Sequence, residues 1–378
     1  MKYSVEKQNS LEQKSQHDRW AAEPRLQEIL AVIATTGVVF ILFICLFQKY
    51  STKVDNFGDS LSHMEIAAAI RHWNFRGLII EHFWGLSYVM AALSILTRVS
   101  DRTALLVVCL VSSFATVILA YRLWGGWVAG LFAILNFDWM QRSFLGGSEP
   151  LFTALLFGSF LAVRRHCWLL AALLAALATV VRPLGLFALL GIGLTLLWNR
   201  EFGKFALATA IGIVVGALYA LPLALYFGSP LANVHGYSPN GDLFGIPFYA
   251  IIKGTFIYPS PWTNLILTFG WIFFVLAGIV AMGATGSYRA YARKFPVEAI
   301  FAGAYLFAVF CYNYPYWARG TFPRFAIPAV PFVLLALLRW IPKDRRLLWA
   351  MTVVMPVLAA ASAIGIQNVP ASLRSMVN

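Results

Sequence analysis

The chain has 378 residues, 60% of them hydrophobic and 12% charged, with a formal charge of +13 and a mean hydropathy of +0.73. Soluble domains carry about a quarter charged residues, so a soluble enzyme is excluded. An outer-membrane barrel is excluded too, because its strands alternate every second residue and here the apolar runs are unbroken. The basic residues stand singly or in pairs at the ends of those runs, which reads as loop charge on one membrane face and not as a nucleic-acid surface.

Residues 1–27 form a polar N-terminal tail, unlike the start of a secretory signal. The first apolar run, about 28–48, is therefore expected to be an uncleaved span with its N-terminus in the cytoplasm. Stretch 49–82 is too charged to cross. Further apolar runs lie near 83–97, 103–121, 125–137, 150–163, 167–181, 183–198, 205–227, 262–284, 297–312, 325–338 and 347–366, many near the roughly 20 residues that a span needs. Residues 28–366 read as a single transmembrane domain and 367–378 as a C-terminal tail, with no internal repeat and no low-complexity tract. The cysteines Cys45, Cys109, Cys167 and Cys311 lack metal-type spacing and are expected to be small core residues.

Basic clusters at Arg164-Arg165, Arg200 with Lys204, Arg289 with Arg293-Lys294, and Arg339 with Lys343, Arg345 and Arg346 mark cytoplasmic loops. Parity then puts stretch 49–82, the segment ending at Glu149, the Arg182-Pro183 turn, loop 228–261, link 313–324 and the C-terminus on the outer face. Between 83 and 148 it needs an even number of crossings, yet there are three apolar runs. Either 125–137 is re-entrant or 83–97 lies along the outer surface; Arg98 and Arg102, read as cytoplasmic, favour the first. The expected fold is all-α and polytopic, with about 11 transmembrane helices and a juxtamembrane amphipathic helix over Ser60 to about His72, N-capped by Ser60 after the turn at Gly58.

With 16 acids in the whole chain, the outer ones are informative. Asp59, at a helix start on the membrane face, suits a general base that takes the proton of an acceptor hydroxyl, although an acid there also simply complements the helix dipole. Asp55 is a second acid nearer the span. Glu149 precedes a first-turn proline, and an ionisable group so close to hydrocarbon is a functional candidate. Arg182 is a single cation between apolar runs, where proline breaks the helix and leaves room for an anion. Arg319 and Arg324 lie on the face expected to be poor in arginine, and a permanently charged fork suits phosphate. His82, and His235, Tyr237 and Lys253 in the long outer loop, complete the candidates.

In order and sidedness these motifs resemble the GT-C superfamily of integral-membrane glycosyltransferases, in particular the protein O-mannosyltransferase and lipid A aminoarabinose transferase group. Gly58-Asp59-Ser60 with Glu65-Ile66-Ala67 resembles that group's first outer-loop acidic motif, and His82-Phe83-Trp84-Gly85-Leu86-Ser87-Tyr88 the segment leading to its next helix. Gly147-Ser148-Glu149-Pro150-Leu151-Phe152 resembles the second acidic motif, Arg182-Pro183-Leu184-Gly185 the basic turn, and Arg324-Phe325-Ala326-Ile327-Pro328 the start of a late helix; His235 is a weaker match. The resemblance implies a GT-C-like fold and inverting transfer of a monosaccharide from a polyprenyl-phosphate carrier to a hydroxyl of a lipid, glycan or protein at the outer face of a bacterial cell membrane, in cell-envelope glycosylation. Asp59, with Glu149 and Asp55, would be catalytic. Arg182, Arg324, Arg319 and Lys253 would bind the donor phosphate, and His82, His235 and Tyr237 the substrates. With arginines on the phosphate no metal is required, so no cofactor is expected, although a divalent ion is compatible with the chemistry. The competing expectation is a polyprenyl- or lipid-phosphate flippase; a phosphate hydrolase would want more paired histidines.

Overall fold

The computed structural model describes residues 23–47, 57–78, 82–237, 244–257, 261–313 and 320–364. Nearly every apolar run becomes a helix: α1 Leu26–Phe47, α2 Ser60–His72, α3 Gly85–Thr97, α4 Asp101–Trp124, α5 Gly126–Leu135, α6 Phe137–Leu145, α7 Glu149–Arg164, α8 Trp168–Val181, α9 Leu186–Trp198, α10 Phe202–Phe227, α11 Ala232–Tyr237, α12 Tyr249–Ile257, α13 Trp262–Ala284, α14 Ser287–Lys294, α15 Pro296–Cys311, α16 Phe322–Ala326, α17 Val330–Leu337 and α18 Arg345–Ile364. The described extended pairing is one antiparallel bridge, Phe244 to Tyr312. The chain is a helical, multi-pass integral membrane protein. Five described helices, α1, α4, α10, α13 and α18, are long and apolar enough to cross by length and composition, or six if the pair α6 and α7, bent by 107°, counts as one. The remaining apolar helices have 10–17 residues, against the about 11 full spans expected from the runs.

Local chemistry sets the breaks. Ser100 caps α4 by accepting from the Thr103 amide at 3.2 Å, and Asn136 caps α6 by accepting from Trp139 at 3.1 Å. Prolines sit in the first turn of α7, α15 and α16, where the missing N–H costs nothing. The core is aromatic: Trp124, Phe157, Phe160, Phe301 and Phe332 pack edge to face or tilted at ring separations of 4.7 to 6.4 Å. Helix α8 buries Ala171, Ala172, Ala175, Ala176 and Ala178, small residues that let α7 and α10 come close without hydrocarbon voids. By contrast α10 buries only Ala208 and Leu223; Leu207, Val214, Leu218, Leu221 and Leu225 are exposed, as on a lipid-facing surface.

The bundle has two distinct ends. At the basic end Arg164 makes a bidentate pair with Glu298 (2.6 and 2.8 Å), and Trp124 and Tyr291 also bond that carboxylate. This fully satisfied network ties α4, α7, α14 and α15 together. The other end carries Asp59, Glu149, Arg182 and Arg324.

Helix α3 corrects the expected topology. It lies beside α2, joined at one end through His63 Nδ1 and Ser87 Oγ at 3.3 Å and at the other through Asp101, which accepts from Arg71 at 2.7 Å and from Ser94 at 3.2 Å. Gly85 permits this seat, since a Cβ there would come within 2.6 Å of the Val180 carbonyl. Helix α4 therefore starts at the site end, and run 83–97 is the one that stays there. Helix α5 begins at the basic end, where the Gly126 amide donates to the Glu23 carboxylate, and with α6 it reaches the site. Run 125–137 is thus not the re-entrant one. Arg98 and Arg102 are not cytoplasmic loop charge: they lie at the site end around the start of α4, where Asp101 pairs with Arg71.

Two further expectations change. Asp59, not Ser60, occupies the α2 N-cap position, and its carboxylate makes no cap bond; Ser60 donates instead to the Leu145 carbonyl at 3.4 Å. Cys109 and Cys311 are buried, but Cys45 and Cys167 are exposed and belong to no core.

Candidate active site

A cavity of about 380 Å³ opens at the site end, with Asp59, His63, His82, Arg182 and Arg324 in its wall and an otherwise largely apolar lining. Each polar wall residue stands at a helix terminus or beside one. Asp59 heads α2; Arg182 follows α8 in an extended conformation before the turn Pro183–Gly185; Arg324 sits in the short helix α16. That helix is held by Tyr305, whose hydroxyl donates to the Phe325 carbonyl at 2.9 Å, and by Asn136, whose amide donates to the Pro323 carbonyl at 2.9 Å.

The charged groups form a chain. Arg324 donates from Nη2 to Asp59 and from Nε to Glu149, and Arg182 donates from Nη1 to the same Glu149 oxygen. Glu149, only 2% exposed, thus holds two guanidiniums, while Asp59 is half-buried. Burial works against the charged form of Asp59, yet Arg324, with Arg142, His82 and His63 behind it, holds the carboxyl well below the usual carboxylate range. His63, one turn along α2, is buried; desolvation first and then the neighbouring His82 push its imidazole down to about 3, against the pull of Asp59 and Glu149. The two rings lie 5.4 Å apart. Ser87 donates its hydrogen to the His63 carbonyl at 3.0 Å, so its oxygen accepts from His63 Nδ1–H, which assigns the neutral tautomer.

The described parts of the long outer loop dock over this wall. Asn233, buried on α11, donates to the His82 carbonyl, and the Gly245 amide donates to the Cys311 carbonyl at 2.7 Å, placing Val234 and Phe244 in the cavity lining. A second, apolar groove of about 570 Å³ runs between α8, α9 and α10; Leu186 belongs to both walls.

Of the residues singled out in the sequence, Asp59, Glu149, Arg182, Arg324 and His82 come together. Lys253 does not line the cavity: it is exposed on α12, 5.6 Å from the Tyr249 ring. His235 is exposed beside the lining residue Val234. Asp55 and Arg319 lie outside the described residues, as does the side chain of Tyr237. Three residues were missed: His63, Asn233 and Arg142. Arg142 is a cation between an apolar run and the Gly146-Gly147 break, the same signal that marked Arg182. His63 follows Asp59 by one helical turn, so it had to share its face. Asn233 carries no comparable signal. Among the described residues no three His, Cys, Asp or Glu side chains converge as metal ligands would.

No family model and no curated protein matches the chain. Among solved structures, the crystal structure of ArnT from Cupriavidus metallidurans in the apo state is similar at 16% identity and a TM-score of 0.45, over 84% of this chain and 62% of that one. This chain thus spans less than two thirds of that structure's length.

Proposed function

We propose that the protein is an inverting glycosyltransferase of the GT-C type, taking a monosaccharide from a polyprenyl-phosphate carrier to an acceptor hydroxyl of a lipid, glycan or protein at the outer face of a bacterial cell membrane. The observation that carries this reading is the convergence of Arg182 and Arg324 with Asp59 on one cavity, beside an apolar groove that shares the Leu186 wall. A phosphate in the cavity meets two preorganised cations, and the groove takes the isoprenoid tail. The motif resemblance runs in the same direction.

In the reaction the anomeric C–O bond to phosphate breaks and the electron pair leaves with the phosphate as polyprenyl phosphate. The acceptor oxygen forms the new bond from the opposite side, and its proton passes to Asp59. Arg182 and Arg324 stabilise the charge that develops on the leaving phosphate, the effect that pre-aimed donors in a water-poor site supply best. Paired with Arg324, Asp59 is a weak base. Donor phosphate competes for that guanidinium, so binding the donor raises the basicity of Asp59 where it is needed. Glu149 keeps both arginines aimed.

The test is incubation of purified full-length protein with radiolabelled polyprenyl-phosphate sugars and a membrane extract as the source of acceptors. Covalent transfer of label is the expected result. Label that crosses vesicles without changing its covalent carrier overturns the enzyme reading in favour of the flippase.

A further inference from the structure

The Arg142 guanidinium is buried, with 6% of the residue exposed. Its Nε and Nη1 have no hydrogen-bond partner among the described residues. Its frame is fixed: Gln141 donates to the Ala359 carbonyl at 2.8 Å, and Ser143 accepts from Ser113 at 2.8 Å while donating to the Trp139 carbonyl at 2.7 Å. Its Cζ lies 4.8 Å from the Phe57 ring centroid. The backbone next to Asp59 is pressed onto it, since a Cβ at Gly58, which has φ +53°, would fall 2.2 Å from Nη1. A buried charge with idle donors is strongly disfavoured, so its donors are there to be used in another state of the site. Both arginines on Glu149 bond its Oε1, and its Oε2 has no partner among the described residues, so Arg142 stands near two carboxylates; of these Asp59 is the residue after Gly58 and the one that loses Arg324 when a phosphate claims it.

We infer that Arg142 is the second seat of Asp59: on donor binding the carboxylate passes from Arg324 to Arg142, which holds it ionised and aimed at the acceptor. This rests on the proposed function and makes Arg142 a positioning residue, because it acts through Asp59. The groups around Asp59 are His63 on its own helix, His82 before α3, Arg142 on α6 and Arg324 on α16; Arg142 in turn faces Asp138 on its own helix and Glu149 on α7. Of these, Arg142 is the cation that stays when the phosphate takes the arginines of the cavity wall. Without it, burial raises the proton affinity of Asp59 in the donor complex, and the base is lost at a higher pH.

Steady-state transfer by the full-length protein, measured against donor concentration and pH, tests this. Arg142→Met is expected to lower kcat by about 100-fold, as small misplacements of a reacting group do. Donor KM stays within about twofold on the same grounds, and the acid limb of the kcat profile moves to higher pH. Arg142→Lys keeps the charge without the fork; it should lose less in kcat and keep the wild-type limb. A loss of kcat with an unmoved limb in the Met variant, a rise in KM alone, or a Lys variant with a displaced limb overturns the inference. Should Arg142→Met not fold, the Lys variant decides by the position of its limb. Wild-type protein that transfers nothing overturns the proposed function instead, and unchanged kcat in Arg142→Met beside an active wild type overturns only the exchange.

Discussion

Replacing Asp59 by Asn separates two roles that a loss of activity alone would merge. Arg324 divides its donors between Asp59 and Glu149, so phosphate has to displace a carboxylate to reach it. A hydrogen bond to a charged group contributes about 1.5–3 kcal/mol. The lower end applies, because Asp59 keeps 23% of its side chain exposed and solvent screens it. At 1.4 kcal/mol per factor of ten, Asp59→Asn should therefore bind polyprenyl phosphate more tightly, by up to about tenfold, the gain being smaller by whatever the wild-type carboxylate regains on Arg142. Transfer should fall by about 10²–10⁴, the usual contribution of a general base. Equilibrium binding of radiolabelled polyprenyl phosphate in nanodiscs, paired with the transfer assay, reads both quantities. Tighter binding with lost transfer is the expected signature. Weaker binding would show that Asp59 assembles the phosphate site, and near-normal transfer would remove it as the base.

Gly216 lines the apolar groove and an added Cβ there meets nothing within 4 Å, so Gly216→Phe should fold and fill the groove; at about 0.8 kcal/mol per buried CH₂, excluding two or more carbons raises the KM of a long-chain donor tenfold or more. A two-isoprene donor should be unaffected, and equal effects on both would rule out the groove as the tail site. At the basic end Glu298→Gln breaks a buried ion pair, a change that costs about 3–5 kcal/mol; thermal melting should register it while kcat of the folded fraction holds, and a selective loss of kcat would contradict a structural role. For His63, the folded value of about 3 lies below the ordinary histidine value of 6.5, so across that interval the unfolded chain binds a proton that the folded chain refuses. Stability should fall as pH drops from about 6.5 towards 3; His63→Asn should lose that part of the slope in melting temperature, and an identical slope in both proteins would refute the assignment.

Much of this was legible in the sequence, because hydrocarbon forces every span to satisfy its own backbone and so turns composition into helices directly. Parity of the basic loops also groups Asp59, Glu149, Arg182 and Arg324 on one face. What failed was context. Run 83–97 is as apolar as a span, but the pairs His63–Ser87 and Arg71–Asp101 lay it along α2, and no periodicity encodes a partner 24 or 30 residues away. Arg142 carried the same lone-cation signal as Arg182, yet its importance comes from Gly58 being pressed onto it, a contact between two distant segments. Ser60 looked like a cap because its residue type suits one, whereas the carboxylate before it takes that position and spends itself on Arg324.

The Arg324 bonds also set a timetable for biogenesis. They reach 265 residues back to Asp59 and 175 back to Glu149. At about 5–20 residues per second of synthesis, Asp59 waits roughly 13–53 s for that partner. During this interval Glu149 has only Arg182, which arrives 33 residues after it, and most of the chain is made with an unfinished polar seam in the bilayer. Insertion factors that shield such a seam until α16 docks would govern yield more than the intrinsic stability of the finished bundle.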